Sequence, residues 1–320
     1  MNSTIADIAA QIRLRDDFTI ITHVSPDGDA VGSSLALYMA LSALGKRAQL
    51  VCDGRMPPSY AFLPYSEAMI KPEDAKRTET AISVDCADRQ RMGSAAKLFD
   101  AAEYTICIDH HVTNEGFGDI NHVDATAAAC GEIMFELVNG LGVEMDGELA
   151  EAMYTAILTD TGRFSYSNTT ARSLLYASKM VELIDVQLLN RRIFADESIS
   201  KTKLLGIAIG KLELLADNRI GIAGICQNDM KLVHASSEDC EGIVDKIRDI
   251  DTVEIAIFIR QAKDGSLKVS MRSKNYADVS AIAAKFGGGG HERAAGCTSY
   301  WSYAKTREVI VNAALGELKE

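Results

Sequence analysis

The feature that most constrains this chain is a pattern repeated through its first half, in which short apolar runs are each closed by an acidic residue or a histidine. Phe18-Thr19-Ile20-Ile21-Thr22 runs into His23, Ala81 to Val84 runs into Asp85, and Tyr104 to Ile108 runs into Asp109-His110-His111. Apolar runs this short and continuous read as strands buried on both faces of a parallel sheet. Helical patterns lie between them, with a long one at 30–44 and a further strand candidate at 48–52. The alternation predicts an α/β chain whose N-terminal part is a doubly wound, mainly parallel sheet. Ligands of such sheets bind outside the carboxyl ends of the strands. The polar residues that close the runs are therefore the candidate site.

A length of 320 residues suits two domains of common size. Helical patterns at 127–139 and 148–159 complete the first half, and a mixed, charged stretch follows. We expect a catalytic domain over 1–183, a partly helical connection over 184–203 and a smaller α/β domain over 204–320. That second part carries strand-like runs at 219–226, 252–260 and 267–272, and helical runs at 239–249, 277–286 and 303–318.

A net charge of -12, with no basic run interleaved with aromatics, argues against duplex DNA and long single strands as partners. No apolar run has the ~18 residues of a membrane span. The first residues lack a basic segment followed by an apolar one, so the expected location is the cytoplasm. Cys52, Cys86, Cys107, Cys130, Cys226, Cys240 and Cys297 include no Cys-x-x-Cys pair, and they read as buried thiols rather than disulfides or a zinc site.

Four motifs carry chemistry. In His23-Val24-Ser25-Pro26-Asp27-Gly28-Asp29, Pro26 stiffens the turn and Gly28 lets the backbone fold sharply between two carboxylates. Alone, Asp29 reads equally well as a helix N-cap and Asp27-Gly28 as an ordinary turn. Asp85 ends a strand in Ser83-Val84-Asp85-Cys86, and Asp109-His110-His111 ends another, with Asn114 just beyond. Neighbouring side chains at a strand end diverge, so one imidazole can hold metal while the next faces substrate. Asp160 lies in Thr159-Asp160-Thr161-Gly162-Arg163, where a helical pattern breaks. His122 and His234 have no carboxylate cluster and read as structural.

Asp27, Asp29, Asp85 and Asp160 together place four negative charges in one region, which two divalent cations would cancel. Imidazole with carboxylate and no thiolate points to Mn²⁺ or a similar transition ion, with Zn²⁺ left open. A pair of such ions suits phosphoester hydrolysis.

At these residues the sequence resembles the DHH phosphoesterase superfamily. Ser270-Met271-Arg272-Ser273, Phe286-Gly287-Gly288-Gly289-Gly290-His291 and Ala294-Ala295-Gly296 look like its DHHA1 substrate-binding domain. The chain most resembles bacterial bifunctional enzymes that degrade very short RNA (nanoRNA) and dephosphorylate 3′-phosphoadenosine 5′-phosphate (pAp). That resemblance implies that His23 and Asp27 bind one manganese, that Asp29, His110 and Asp160 bind the other, and that Asp85 bridges them. It implies that His111 contacts the scissile phosphate, oriented by Asp109 and Asn114, and that Arg272, Ser273, Gly288, Gly289, Gly290 and His291 bind substrate. The glycines could bring backbone N–H groups close to a phosphate, or form a flexible loop. Competing expectations are a phosphodiesterase of linear or cyclic dinucleotides and a non-catalytic nucleotide sensor; a homodimer is left open.

Overall fold

A computed structural model describes residues 2–195 and 198–319. The chain divides into two compact units, 1–196 and 197–320. Each is built around its own sheet.

The first unit runs α1 (Ile5–Leu14), β1 (Asp17–Ile21), α2 (Gly28–Ala43), β2 (Arg47–Val51), β3 (Met69–Ile70), β4 (Thr80–Val84), α3 (Ala96–Ala101), β5 (Tyr104–Asp109) and β6 (Ile120–Val123). It continues with α4 (Cys130–Leu141), α5 (Gly147–Asp160), α6 (Ala171–Met180) and α7 (Val186–Phe194). All strand pairings are parallel, in the order β3-β2-β1-β4-β5-β6. The order reverses direction at β1, so β1 and β4 flank the switch point where a crevice opens at the carboxyl ends. His23 and Asp85 follow those two strands.

Both faces of this sheet are covered, which is why its central strands β1, β4 and β5 are mainly apolar. Ile20, Ile82, Val84, Ile106 and Ile108 pack into the larger core, and Ile21 and Ala81 into the one on the opposite face. Helix α2 has no polar face; it is buried from Gly28 to Leu37 and belongs inside the unit rather than on its surface. It meets α5 at unusually short range. A Cβ on Gly28 would lie 2.4 Å from Thr159 Oγ1, and one on Gly32 would lie 2.3 Å from the Ala152 carbonyl oxygen. Gly28 has an ordinary helical backbone, so its role differs from the sharp turn expected of it. It removes a side chain so that the end of α5, and with it Asp160, can approach Asp29.

The second unit runs α8 (Ile199–Gly210), β7 (Glu213–Leu215), β8 (Ile220–Ile225), α9 (Gln227–Leu232), α10 (Ile243–Arg248), β9 (Ile255–Gln261), β10 (Leu267–Ser273), α11 (Val279–Ala284), β11 (Gly289–His291), β12 (Ala294–Ser299) and α12 (Tyr303–Leu315). Its sheet has the order β11-β12-β10-β9-β8-β7 and is antiparallel except for the β8–β9 pair. Separate clusters fill its two faces, one including Ile257, Val269 and Ile310, the other Ile225, Val244 and Phe258.

The segment expected as a connection is mostly helical. Helix α7 buries Leu189 in the core of the first unit, and α8 buries Leu204 and Ala208 in the second; residues 196 and 197 lie outside the described residues. Six of the seven cysteines are buried, whereas Cys226 is exposed at the N-cap of α9, where β8 leaves the sheet. Among the described residues, no helix is long and apolar enough to cross a membrane.

Candidate metal centre

The first motif is set by the start of α2. Asp27, not Asp29, is the N-cap, and its Oδ1 accepts from the Ala30 N–H at 3.1 Å. Its side chain remains more than half exposed, at 58%. Asp29 is fully buried and serves a different helix. Its carboxylate accepts from the N–H groups of Cys130 at 2.6 Å and Gly131 at 3.0 Å, and from Ser33 Oγ at 2.8 Å. These N–H groups open α4, whose own N-cap position, Ala129, has no side chain able to do this. Asp29 thus fixes α4 against α2. Burial raises its carboxyl pKa, and the charge of His110 partly offsets the rise.

Asp85 occupies the centre. It is 2% exposed, and its backbone is left-handed at φ +58°, a strained conformation for a residue with a Cβ. The N–H still extends the strand by donating to Ile108 O at 3.1 Å. Its Oδ1 is buried without a hydrogen-bond partner. Burial, reinforced by the charges of Asp29, Asp27, Asp160 and Asp109, raises its pKa well above the carboxylate range. Asp160, at the C-terminal end of α5, is pushed up to about 9 by burial and by Asp29 and Asp27.

Three imidazoles surround these acids. His23 Nε2 lies 3.7 Å from Asp85 and 4.0 Å from Asp27, and burial lowers its pKa to about 4, so it is a neutral donor. His110 directs Nδ1 to the Ala127 carbonyl at 3.3 Å, leaving the Nε2 lone pair for the cluster. That Nε2 stands 3.6 Å from Asp29, 3.5 Å from Asp85 and 3.4 Å from Asp160.

His111 is held differently, with Nδ1–H donating to Asp109 Oδ1 at 2.8 Å while Asn114 Nδ2 donates to Asp109 Oδ2 at 2.6 Å. The bond to Asp109 raises the His111 pKa. Burial pushes Asp109 upward, but the His111 bond and charge and the Asn114 bond outweigh it and hold Asp109 below the usual range. The two neighbouring histidines are thus held by different partners, His110 by a backbone carbonyl and His111 by a carboxylate that favours its protonated form.

Among the described residues, donor atoms lie within 4.8 Å of one another in the groups His23–Asp27–Asp85, Asp29–His110–Asp160, Asp85–His110–His111 and Asp29–Asp85–Cys130. The first two groups bring together the residues expected as ligands from the sequence, and Asp85 stands 3.7 Å from His23 and 3.5 Å from His110. Buried carboxylates crowded together, one with an oxygen no proton donor reaches, fit a site that takes divalent cations. Cys130 is a poor ligand here, since burial holds its thiol well above the ordinary range.

These observations meet known proteins at one point. The DHH family, N-terminal domain, matches residues 17–157, and the DHHA1 domain matches residues 230–318. A Thermus thermophilus protein named bifunctional oligoribonuclease and PAP phosphatase NrnA is 36% identical over 288 residues, covering 87% of this chain and 83% of its own. This chain belongs to the DHH–DHHA1 family. A Bacillus subtilis protein of the same name is 28% identical over 311 residues, covering 93% of this chain and 94% of its own. The crystal structure of an exopolyphosphatase-related protein from Bacteroides fragilis superimposes with a TM-score of 0.90 at 25% identity, covering 98% of this chain and 95% of that one.

The DHHA1 residues are placed as follows. Arg272 is half-buried and stands 3.4 Å from Asp245. Ser273 is buried, and its hydroxyl donates to the Ala277 carbonyl at 2.6 Å, which commits it inside the unit. Gly287, at φ +69°, ends α11, and the N–H groups of Gly287 and Gly288 donate to the Ala284 and Ala283 carbonyls. Gly289 and Gly290 enter edge strand β11 beside β12. The run is therefore a helix stop leading into a strand, rather than a flexible loop. His291 continues β11, and its side chain lies outside what is described.

Three supports of the centre escape sequence reasoning. Arg91, on the segment after β4, brings its guanidinium 3.3 Å from His23 Nδ1. Asn168 donates from one amide nitrogen to Ala128 O at 3.1 Å and Asp160 O at 3.0 Å. Fully buried Glu132 is paired with Arg172 at 2.6 Å and accepts from Ser173 Oγ at 2.5 Å and Ala128 N–H at 3.2 Å. The loop carrying Ala127, which orients His110, is thereby fixed from behind. Only a basic residue six positions past Asp85 offered any signal; apart from Ala128 and Glu132, four apart, the other contacts join residues eight to forty-one apart with no local pattern.

Proposed function

We propose that this chain is a metal-dependent phosphoesterase that hydrolyses short oligoribonucleotides to mononucleotides and converts pAp to AMP. The observation that carries this reading is the pair of ligand groups meeting at Asp85, whose buried oxygen has no other partner. The names of the Thermus and Bacillus relatives support the substrate class.

In this reading His23 and Asp27 hold one divalent ion, Asp29, His110 and Asp160 hold the second, and Asp85 serves both. Their mixed imidazole and carboxylate character favours manganese. When bound, such ions supply Lewis-acid charge and a water activated near neutral pH.

The chain's own residues do the rest. With Nδ1–H donated to Asp109, a bond that favours the protonated ring, His111 can offer Nε2–H to a phosphate oxygen and offset charge developing there. Asp109 and Asn114 fix the plane of that ring, and Arg91 adds positive charge at the same edge. Arg272, the Gly288–Gly290 segment and His291 are assigned to the substrate, with Ser273 bracing the turn behind Arg272. The test is release of mononucleotides from a diadenosine dinucleotide, and of phosphate from pAp, by protein loaded with manganese. Absence of turnover on both substrates would overturn the reading.

A further inference from the structure

One stretch of chain, from Ala127 to Gly131, touches each of the three residues assigned to the second ion alone. The Ala127 carbonyl meets His110 Nδ1 at 3.3 Å, and the N–H groups of Cys130 and Gly131 donate to the Asp29 carboxylate at 2.6 and 3.0 Å. The Ala128 carbonyl shares the Asn168 amide nitrogen with the Asp160 carbonyl, at 3.1 and 3.0 Å. The residues assigned to the first ion are held elsewhere. Side-chain hydrogen bonds of His23 run to Ser25 and Arg91, and that of Asp27 runs to Ala30.

Between the end of β6 and the start of α4 this stretch has no regular structure to fix it. Its start is tied to β5 by the Asp124 N–H, which donates to Asp109 O at 3.0 Å. A single side chain then joins its two ends. Arg172, in the first turn of α6, donates from Nε to Glu132 Oε2 at 2.6 Å and from Nη1 to Asp124 Oδ2 at 2.8 Å. Asp124 also accepts from Thr126 Oγ1 at 2.6 Å, and Glu132 accepts from the Ala128 N–H at 3.2 Å, so the loop residues between are held from both ends. Glu132 is fully buried, and its charge must be matched where it stands. A planar guanidinium can hold two carboxylates in one fixed geometry, which a flexible ammonium does less well.

We propose that Arg172 is a positioning residue for the second ion alone: by clasping Asp124 to Glu132 it presets the segment that aims His110, Asp29 and Asp160. The inference rests on the two-metal reading above and deepens it, because it gives the two ions separate supports within one centre. Groups standing behind metal ligands commonly govern affinity by about 10–100-fold.

The experiment titrates full-length, metal-free protein with Mn²⁺ by isothermal calorimetry in two backgrounds. His23→Ala leaves the second ligand group intact, and Asp160→Asn leaves the first. Adding Arg172→Met should raise Kd about 10–100-fold in the His23→Ala background and by less than about twofold in the Asp160→Asn background. Arg172→Lys keeps a positive charge beside Glu132, serves as the variant that folds if Arg172→Met does not, and should show the same one-sided loss in smaller degree. Equal losses in both backgrounds would make Arg172 a general support of the unit and overturn the inference, as would no loss in either. Wild-type protein that binds fewer than two ions overturns the paired centre and this inference with it. Two ions and a one-sided loss, without turnover of dinucleotide or pAp, would overturn the substrate reading and still support the role of Arg172.

Discussion

Replacing Asp160 by asparagine should stabilise the metal-free protein. The Asp160 side chain donates and accepts no hydrogen bond among the described contacts and is 27% exposed, and burial beside Asp29 and Asp27 lifts its pKa from 3.8 to about 9. An acid with a raised folded pKa binds more protons folded than unfolded, so its contribution to stability is intact below about pH 4 and is lost as pH rises toward 9. At pH 7 the loss is about 1.4 kcal/mol for each of roughly three units, or about 4 kcal/mol; at pH 5 it is under about 2 kcal/mol. Asparagine has nearly the same shape and never ionises.

Urea unfolding in chelator, followed by circular dichroism, reads the effect in the transition that Trp301 fluorescence does not share, because Trp301 lies in the second unit. The variant should gain up to about 4 kcal/mol at pH 7 and much less at pH 5. With manganese added the order should reverse, because the wild type gains binding energy that the variant lacks. A variant less stable than wild type in chelator, or a gain equal at both pH values, would refute the electrostatic reasoning.

Other perturbations probe the supports. Asn168→Ala should weaken manganese affinity about tenfold by isothermal titration, since it frees the Asp160 and Ala128 carbonyls from their shared donor; an unchanged affinity contradicts that link. Gly28→Ala should cost about 1–3 kcal/mol in urea unfolding of the first unit by forcing α2 away from Thr159, and should reduce turnover as Asp160 shifts; a silent substitution shows the close approach to be unnecessary. Glu254 accepts from the N–H groups of Asn275, Tyr276 and Ala277, and although burial pushes its pKa up, these bonds hold it below 4.5. Its contribution is present above about pH 4.5 and lost as pH falls through the lowered value, so Glu254→Gln should destabilise the second unit by about 2–4 kcal/mol at pH 7 and by less in acid, read from the Trp301 transition.

Much of the site is legible in the sequence because the sheet imposes a simple rule. Strands buried on both faces are mainly apolar, so the acidic residues and histidines at the ends of β1, β4 and β5 stand out, and the sheet gathers them at its carboxyl edge. What stays hidden depends on partners distant in sequence. Nothing local tells that Asp29 caps α4 a hundred residues later, or that Gly28 matters for what it lets approach rather than for the turn it makes. Strand β6 is only partly buried and β12 contains small residues, so neither shows a clear pattern. Helix α7 lies in a stretch whose charges mask its pattern, although Val186, Leu189 and Ile193 pack against the core of the first unit.

The most direct test of the account is the number and position of metal ions, read from anomalous scattering of manganese-soaked crystals. Two peaks are expected, one among His23, Asp27 and Asp85 and one among Asp29, Asp85, His110 and Asp160, with Asp85 reaching both. A single peak, or a pair that leaves Asp85 without a metal contact, would contradict it.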